Sequence, residues 1–349
     1  MDYADTPEQA ALREAVRAFL SRTHGEDMWK RLTAELGLTG LAVPSRYGGA
    51  SAGLAEVAVA VEEAGRVLLP LPLLSTALAG FVLGEAPDTP AELLSGIADG
   101  SQAASFVTND LIGVTDGHLF GVASHVLDGG AADLFLVRTE RGLFAVRAAD
   151  TVVSPAETLD QTRTQATVVF DGSAAVPVGA DAARAEELLR VMLAVESAGA
   201  AAHCLETTVA YLKTRVQFGR PIGTFQALKH RCADLAVAVA SARAVARAAV
   251  CAAAGGPGQS SAAAGGPGQS STATDADPQR LAVLAPLAKK HCADVFWQAA
   301  AEMVQLHGGI GFTWEHEAHR YLKRAKTTQL LHGSPAELRR LVAQRAGLI

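Results

Sequence analysis

Residues 215–223 read Arg215-Val216-Gln217-Phe218-Gly219-Arg220-Pro221-Ile222-Gly223, with Phe225-Gln226-Ala227 and Ala233-Asp234 close behind. They fall between two long segments rich in Ala, Leu, Val and Arg, 182–213 and 224–254, and so form a turn between helices. An arginine closing a helix, a nearby glutamine and a glycine-rich turn suit a pyrophosphate, which takes charge-assisted bonds and exposed backbone N–H groups. A second stretch, Gln305-Leu306-His307-Gly308-Gly309-Ile310-Gly311-Phe312, closes the helical segment 279–306. Gly308 and Gly309 remove side chains where a ligand comes close to the backbone. A third, Tyr321-Leu322-Lys323-Arg324-Ala325-Lys326, runs on to Leu331-His332-Gly333-Ser334. Taken singly, Arg215 is more readily a surface ion-pair partner and Gly308-Gly309 a helix C-cap. The three together, in this order, carry the argument.

Outward from these stretches the chain divides in three. Residues 1–100 read as helical, opening on Thr6-Pro7-Glu8-Gln9, with Thr as N-cap, Pro at the first position and Gln three after the cap. Leu12, Val16 and Phe19 follow at helical spacing, Pro44–Gly49 breaks the pattern, a helix is expected near 54–66, and Thr89-Pro90-Ala91-Glu92 opens another with the same capping logic. Residues 101–178 turn to short apolar runs, at 103–108, 134–137, 142–146 and 166–170, separated by turn residues. They predict a small antiparallel β-domain. Residues 179–349 return to helix, and Ser334-Pro335-Ala336-Glu337 is a capping box for the last one. AAAGGPGQSS occurs at 252–261 and again at 262–271. Its composition cannot build a core, so 252–278 is expected to be a flexible loop.

The 349 residues are 49% hydrophobic and 19% charged, with a formal net charge of -6. That is enough chain for a large core in two or three domains, and its acidic balance gives no general pull on nucleic acid or an anionic membrane. Cys204, Cys232, Cys251 and Cys292 form no CxxC pair and read as free thiols in helices, without a metal or disulfide role. The N-terminus lacks a basic region before an apolar core, and no apolar run reaches the ~20 residues that span a bilayer. The expectation is a cytoplasmic chain.

The order and spacing of the three stretches, set in a helical–β–helical chain, resemble the acyl-CoA dehydrogenase family over nearly the whole sequence. The resemblance implies a mostly α fold: an N-terminal helical domain, a middle β-domain and a C-terminal four-helix bundle. It also implies FAD, a CoA thioester substrate, an electron-transfer flavoprotein as electron acceptor, and an oligomer. On it, Arg215, Gln217 and Phe218 would contact the diphosphate of FAD, and Gln305, Gly308 and Gly309 would lie against it or the adenine. That FAD would belong largely to a neighbouring subunit. Arg190 falls where the family has an arginine near the thioester and its phosphates, and Glu187 where an acid often meets the adenine side. For the latter an exposed helix ion pair is an equal alternative.

Two departures qualify the resemblance. The family removes a Cα proton with a carboxylate, commonly a glutamate just before the last helix; here that place holds His332. The family's other base position corresponds to Leu189, which cannot take a proton, and Glu196, two turns further on, reads first as a structural residue. The Thr-Glu-Pro…Gly-Ser-Asp segment that holds the isoalloxazine ring is reduced to Val107-Thr108-Asn109-Asp110, and the β-domain is short. The combination, with Gly311-Phe312-Thr313-Trp314-Glu315-His316, resembles the base-less subunit of heteromeric, steroid side-chain acyl-CoA dehydrogenases, assembled as α2β2. The alternatives are a self-sufficient homotetramer with His332 as an atypical base and a flavin-free thioester-binding scaffold. Trp314 is assigned no chemistry.

Overall fold

The structure, a computed structural model, describes residues 5–108, 112–254 and 277–349. The repeat at 252–271 therefore lies almost wholly outside the described residues, as do Asn109 and Asp110.

Five helices come first: α1 (Pro7–Arg22), α2 (Met28–Leu36), α3 (Leu54–Arg66), α4 (Leu73–Glu85) and α5 (Ala91–Ala98). The capping box at Thr6 closes, with Gln9 N donating to Thr6 Oγ1 at 3.3 Å and Thr6 N to Gln9 Oε1 at 3.1 Å. Val16, Phe19 and Leu20 bury one stripe of α1. The cap expected at Thr89 does not form. Its hydroxyl donates backward to Leu83 O at 3.0 Å, and α5 starts on Pro90 without a side-chain cap.

Among the described residues eight strands follow: β1 (Ala104–Val107), β2 (Gly113–Thr115), β3 (His118–Leu127), β4 (Leu134–Thr139), β5 (Gly142–Arg147), β6 (Val152–Pro155), β7 (Gln165–Ala174) and β8 (Val176–Val178). They form two sheets, ordered β1-β4-β5-β8 and β2-β3-β7-β6. The domain is not wholly antiparallel: β1 runs parallel to β4, Ala104 opposite Leu134. The chain leaves β1, builds β2 and β3 of the other sheet and returns, which is the long crossover that a parallel pair needs. β4 is apolar at every position from 134 to 137 because both its faces are covered. Leu134 and Leu136 join the helical core, while Phe135 and Val137 join the core between the sheets.

The C-terminal bundle comprises α6 (Ala182–Thr214), α7 (Gln226–Ala254), α8 (Pro278–His307), α9 (Ala318–Leu330) and α10 (Pro335–Arg345). Asp181 caps α6 by accepting from Ala183 N and Arg184 N. The box at Ser334 closes on Glu337 and starts α10. α6 and α8 pack along each other, α7 packs on both, and α9 and α10 pack on α8. By length and composition α6 and α7 could each cross a bilayer, but α6 buries most of its apolar stretch inside the fold, whereas α7 buries less than half.

Gly65 on α3 and Gly199 on α6 let the two backbones touch. A Cβ on Gly199 would stand 2.0 Å from Glu62 O, and one on Gly65 would stand 2.2 Å from Glu196 O. α6 is thereby anchored along its middle, leaving its two ends to carry different chemistry.

Candidate functional site

At the C-terminal end of α6 the chain turns through a two-residue hairpin, β9 (Val216–Gln217) paired with β10 (Arg220–Pro221). Phe218 and Gly219 form the turn with φ of 53° and 75°, the left-handed pair a tight hairpin needs. A bulky residue rarely accepts that backbone, and Phe218 is also 90% exposed. Its ring meets Phe225 edge-on at 6.0 Å, and the Arg220 guanidinium lies 4.2 Å from the centre of the Phe225 ring. Arg215 and Gln217 are exposed beside it.

Tyr211, one turn before Arg215, stacks on His307 with ring centres 4.4 Å apart and donates its hydroxyl to His307 O at 3.4 Å. This contact joins the first motif to the second, since His307 directly precedes Gly308. Gln305, Gly308 and Gly309 are exposed, and nothing lies within 4 Å of a Cβ added at Gly219, Gly308 or Gly309. Arg215, Gln217, Phe218, Gln305, Gly308 and Gly309 thus line one open, cation-bearing end of the bundle. Tyr211 and His307 escaped the sequence reading. Their only signal was their spacing from Arg215 and Gly308.

The other candidates cluster near the opposite end of α6. Arg190 and Glu187 are buried. Arg190 Nη1 donates to Glu187 Oε1 at 2.9 Å, Nη2 to Glu186 Oε1, and Nε to His332 O at 3.4 Å. Arg138 on β4 donates to Glu186 Oε2 at 2.5 Å, and Arg345 on α10 to Glu187 Oε1 at 2.6 Å and Ala282 O at 2.7 Å. The helix ion pair named as the alternative for Glu187 is present, buried rather than exposed. Both groups are committed to a network that joins α6 to β4, α8, α10 and the turn at His332.

His332 sits in the left-handed region, φ 53°. Its Nδ1 shares a hydrogen bond of 3.2 Å with Thr108 Oγ1, and its Nε2 is sealed from solvent without a partner among the described residues. Lys289 on α8 holds the turn by donating to Gln329 O at 3.1 Å and Gly333 O at 2.8 Å. Burial chiefly, and then the charges of Lys289, Arg190 and Arg163, push His332 down to about 3. Burial and Arg190 likewise push Lys289 down to about 7. The imidazole is therefore neutral at physiological pH and a weak base, far from the match to operating pH that proton abstraction rewards. Leu189 is fully buried, and Glu196 is held by Arg163 and, at 3.3 Å, by Arg324 Nη1. No carboxylate stands free at any of these positions.

Arg163, Arg324, Glu196, Asp160 and Asp128 form a buried cluster binding the β-domain to α6 and α9. It holds two cations and three acids, and burial raises Asp128 to about 6 despite the pull of Arg163 and Arg324. An acid raised above its unfolded value contributes stability below that value, ~3.9, and loses it as pH rises through the folded one. Asp128→Asn keeps an acceptor for Ser75 Oγ, 3.4 Å away, and tolerates the local φ of 54°. It should stabilise the chain by about 1–3 kcal/mol near neutral pH and by nothing near pH 4, as read from urea midpoints at both.

The helical–β–helical architecture, with its paired glycine-rich turns at the end of a long core helix, is that of a family of oxidoreductases acting on CH–CH bonds. The chain belongs to the acyl-CoA dehydrogenase family: the family's N-terminal domain matches residues 6–85 and its C-terminal domain residues 182–347. Acyl-CoA dehydrogenase IpdE2 of Mycobacterium tuberculosis is 38% identical over 333 residues, 95% of this chain and 91% of its own length. IpdE2 of Mycolicibacterium smegmatis is 37% identical over 97% and 94%. Among solved structures, the Tcur3481-Tcur3483 steroid ACAD superimposes with a TM-score of 0.81 at 26% identity, covering 98% of each chain. The ChsE4-ChsE5 complex from Mycobacterium tuberculosis gives 0.84 at 22% over all of both chains, a likeness of fold.

The family implies FAD, and the two ends of α6 fit it unequally. The open glycine turns beside Arg215 suit a diphosphate. At the other end, Thr108 already bonds the residue at the base position.

Proposed function

We propose that this chain is the base-less subunit of a heteromeric FAD-dependent acyl-CoA dehydrogenase that desaturates a steroid side-chain CoA thioester. Its partner, in an α2β2 assembly, carries the glutamate base and the flavin-ring pocket. This chain supplies Arg215, Gln217, Phe218, Gln305, Gly308 and Gly309 to the adenosine diphosphate half of the partner's FAD. Electrons pass on to an electron-transfer flavoprotein. The chemistry that FAD supplies in this family is acceptance of a hydride from the substrate's β-carbon.

One observation carries the proposal. At roughly 1.5 Å of rise per residue, Arg190 and Arg215 stand about 37 Å apart along α6, beyond the reach of one dinucleotide. One flavin could not meet both ends of this helix, and among the described residues the end bearing Arg215 and Gly308 is the open one. The likeness to the two-protein structures named above supports a second subunit, and the likeness to a steroid ACAD among them supports the substrate class.

The test is the flavin absorbance of the purified chain, alone and co-expressed with a candidate partner bearing the glutamate. The expected result is a colourless chain alone, a yellow complex with one FAD per pair of subunits, and no turnover without the partner. In the complex, Arg215→Ala should weaken FAD retention by roughly tenfold to a hundredfold, the worth of a charge-assisted hydrogen bond. A chain that is yellow alone and bleaches with thioester, but not as His332→Ala, would establish the self-sufficient enzyme instead.

A further inference from the structure

Four histidines gather around the Gly308–Gly309 turn: His203 on α6, His307 at the end of α8, His316 in the following loop and His319 on α9. His307 and His316 face each other with ring centres 4.2 Å apart, and Tyr211 covers the stack from α6. Their hydrogen bonds fix the tautomers. His307 Nδ1 lies 2.7 Å from Met303 O, a carbonyl, so that nitrogen carries the proton. His316 Nδ1 lies 3.1 Å from Ala318 N and accepts from it, so that nitrogen is bare. His316 thereby caps α9, whose N-cap residue, Glu317, offers no side-chain bond to the helix. His319 Nδ1 donates to His316 O at 2.8 Å, and Glu317 Oε1 accepts from His203 Nε2 at 2.9 Å. Burial holds His307 below the ordinary imidazole range, the bond to Met303 O pulling the other way and the neighbouring His316 adding to the depression.

Protonating His316 would do two unfavourable things at once. It fills the lone pair that caps Ala318 and sets a cation at a helix N-terminus. Arg320 adds positive charge on the same element, and Glu317, the acid beside the pair, is already engaged with His203. We propose that the His307–His316 pair is a proton-operated catch for the Gly308–Gly309 turn. While neutral it seats residues 308–317 against the end of α6; protonation of His316 undoes the cap that holds its ring on His307. The consequence, weaker grip on the adenosine diphosphate half of FAD in acid, rests on the function proposed above. His307 and His316 are positioning residues, acting through the turn.

Hydrogen exchange of the full chain tests the catch without flavin. After correction for intrinsic rates, protection of the Ala318 amide should fall about threefold to fivefold between about pH 7.5 and about pH 5.5, the worth of one N-cap bond. His316→Asn, whose amide oxygen caps at any pH, should show no such fall. Protection unchanged in the wild-type chain, or an equal loss in His316→Asn, overturns the proposal. Titration with ADP separates the two ideas. Affinity that weakens in acid only with His316 present supports both. No ADP binding at any pH, with the exchange pattern as expected, leaves the catch standing and removes the FAD seat. ADP affinity that ignores pH while Ala318 loses protection overturns the coupling to the turn.

Discussion

Arg324→Gln should cost about 3–5 kcal/mol, as removal of one partner from a buried ion network does. The guanidinium is almost wholly buried. Its Nε donates to Asp160 Oδ2 at 2.6 Å and Thr162 Oγ1 at 3.1 Å, its Nη2 to Thr162 O at 2.7 Å, and its Nη1 to Glu196 Oε1 at 3.3 Å. Glutamine reaches at most one of these groups, leaving a carboxylate and a carbonyl buried without their donor. The cluster would then hold three acids against Arg163 alone. Its surplus negative charge would push Asp128 above its present value of about 6. The variant should therefore recover part of its loss as the pH falls through that range, opposite to ordinary acid denaturation. Urea midpoints at two pH values read both effects. A midpoint within ~0.5 kcal/mol of the parent, the scale of ordinary surface changes, would show that Arg163 and water carry the network unaided.

Gly199→Ala should be nearly as damaging, although alanine ordinarily favours a helix by about 1 kcal/mol over glycine. The added methyl would lie 2.0 Å from Glu62 O, a backbone atom with no rotamer to change. α3 and α6 would have to part, and the reciprocal contact of Gly65 with Glu196 O would open with them. Overpacking of this kind costs about 1–3 kcal/mol or more. The upper end is expected because helix against helix cannot yield locally. Thermal unfolding of the single variant decides it: a raised midpoint would mean that helix propensity outweighs the clash.

What the sequence made legible follows the range of the interactions. The capping boxes at Thr6 and Ser334 close as read, because each lies within four residues of chain. The apolar runs at 103–108 and 134–137 each hold a strand, but their parallel pairing depends on a crossover through another sheet that no local pattern encodes. β3 was missed because its exposed positions and two register shifts break the alternation a strand shows. α2 and α4 lie in the stretch read as helical, but their bounds were not visible: α2 is short, and α4 is apolar on nearly every side, which erases the helical stripe. At the candidate sites, residue types and spacing pointed to the exposed end carrying Arg215 and Gly308. The commitments of Arg190 and Glu187 were only half visible. Their mutual pair is helical spacing, whereas Arg138 and Arg345 arrive from strands and helices far away in the chain. His332 was placed by the resemblance, but its neutral state depends on Lys289, Arg190 and Arg163, none of them near it in sequence.

The unbroken course of α6 from Asp181 to Arg215 has one more consequence. A rigid rod that carries different chemistry at each end sets the phase between the two as well as their distance. One residue inserted between Gly199 and Tyr211 would turn everything beyond it by about 100° and advance it by about 1.5 Å. Arg190, Gly65 and the β-domain contacts would stay in place. Tyr211 would swing off His307, and the hairpin with Phe218 would face a different neighbour. On this plan α6 can change length only by whole turns.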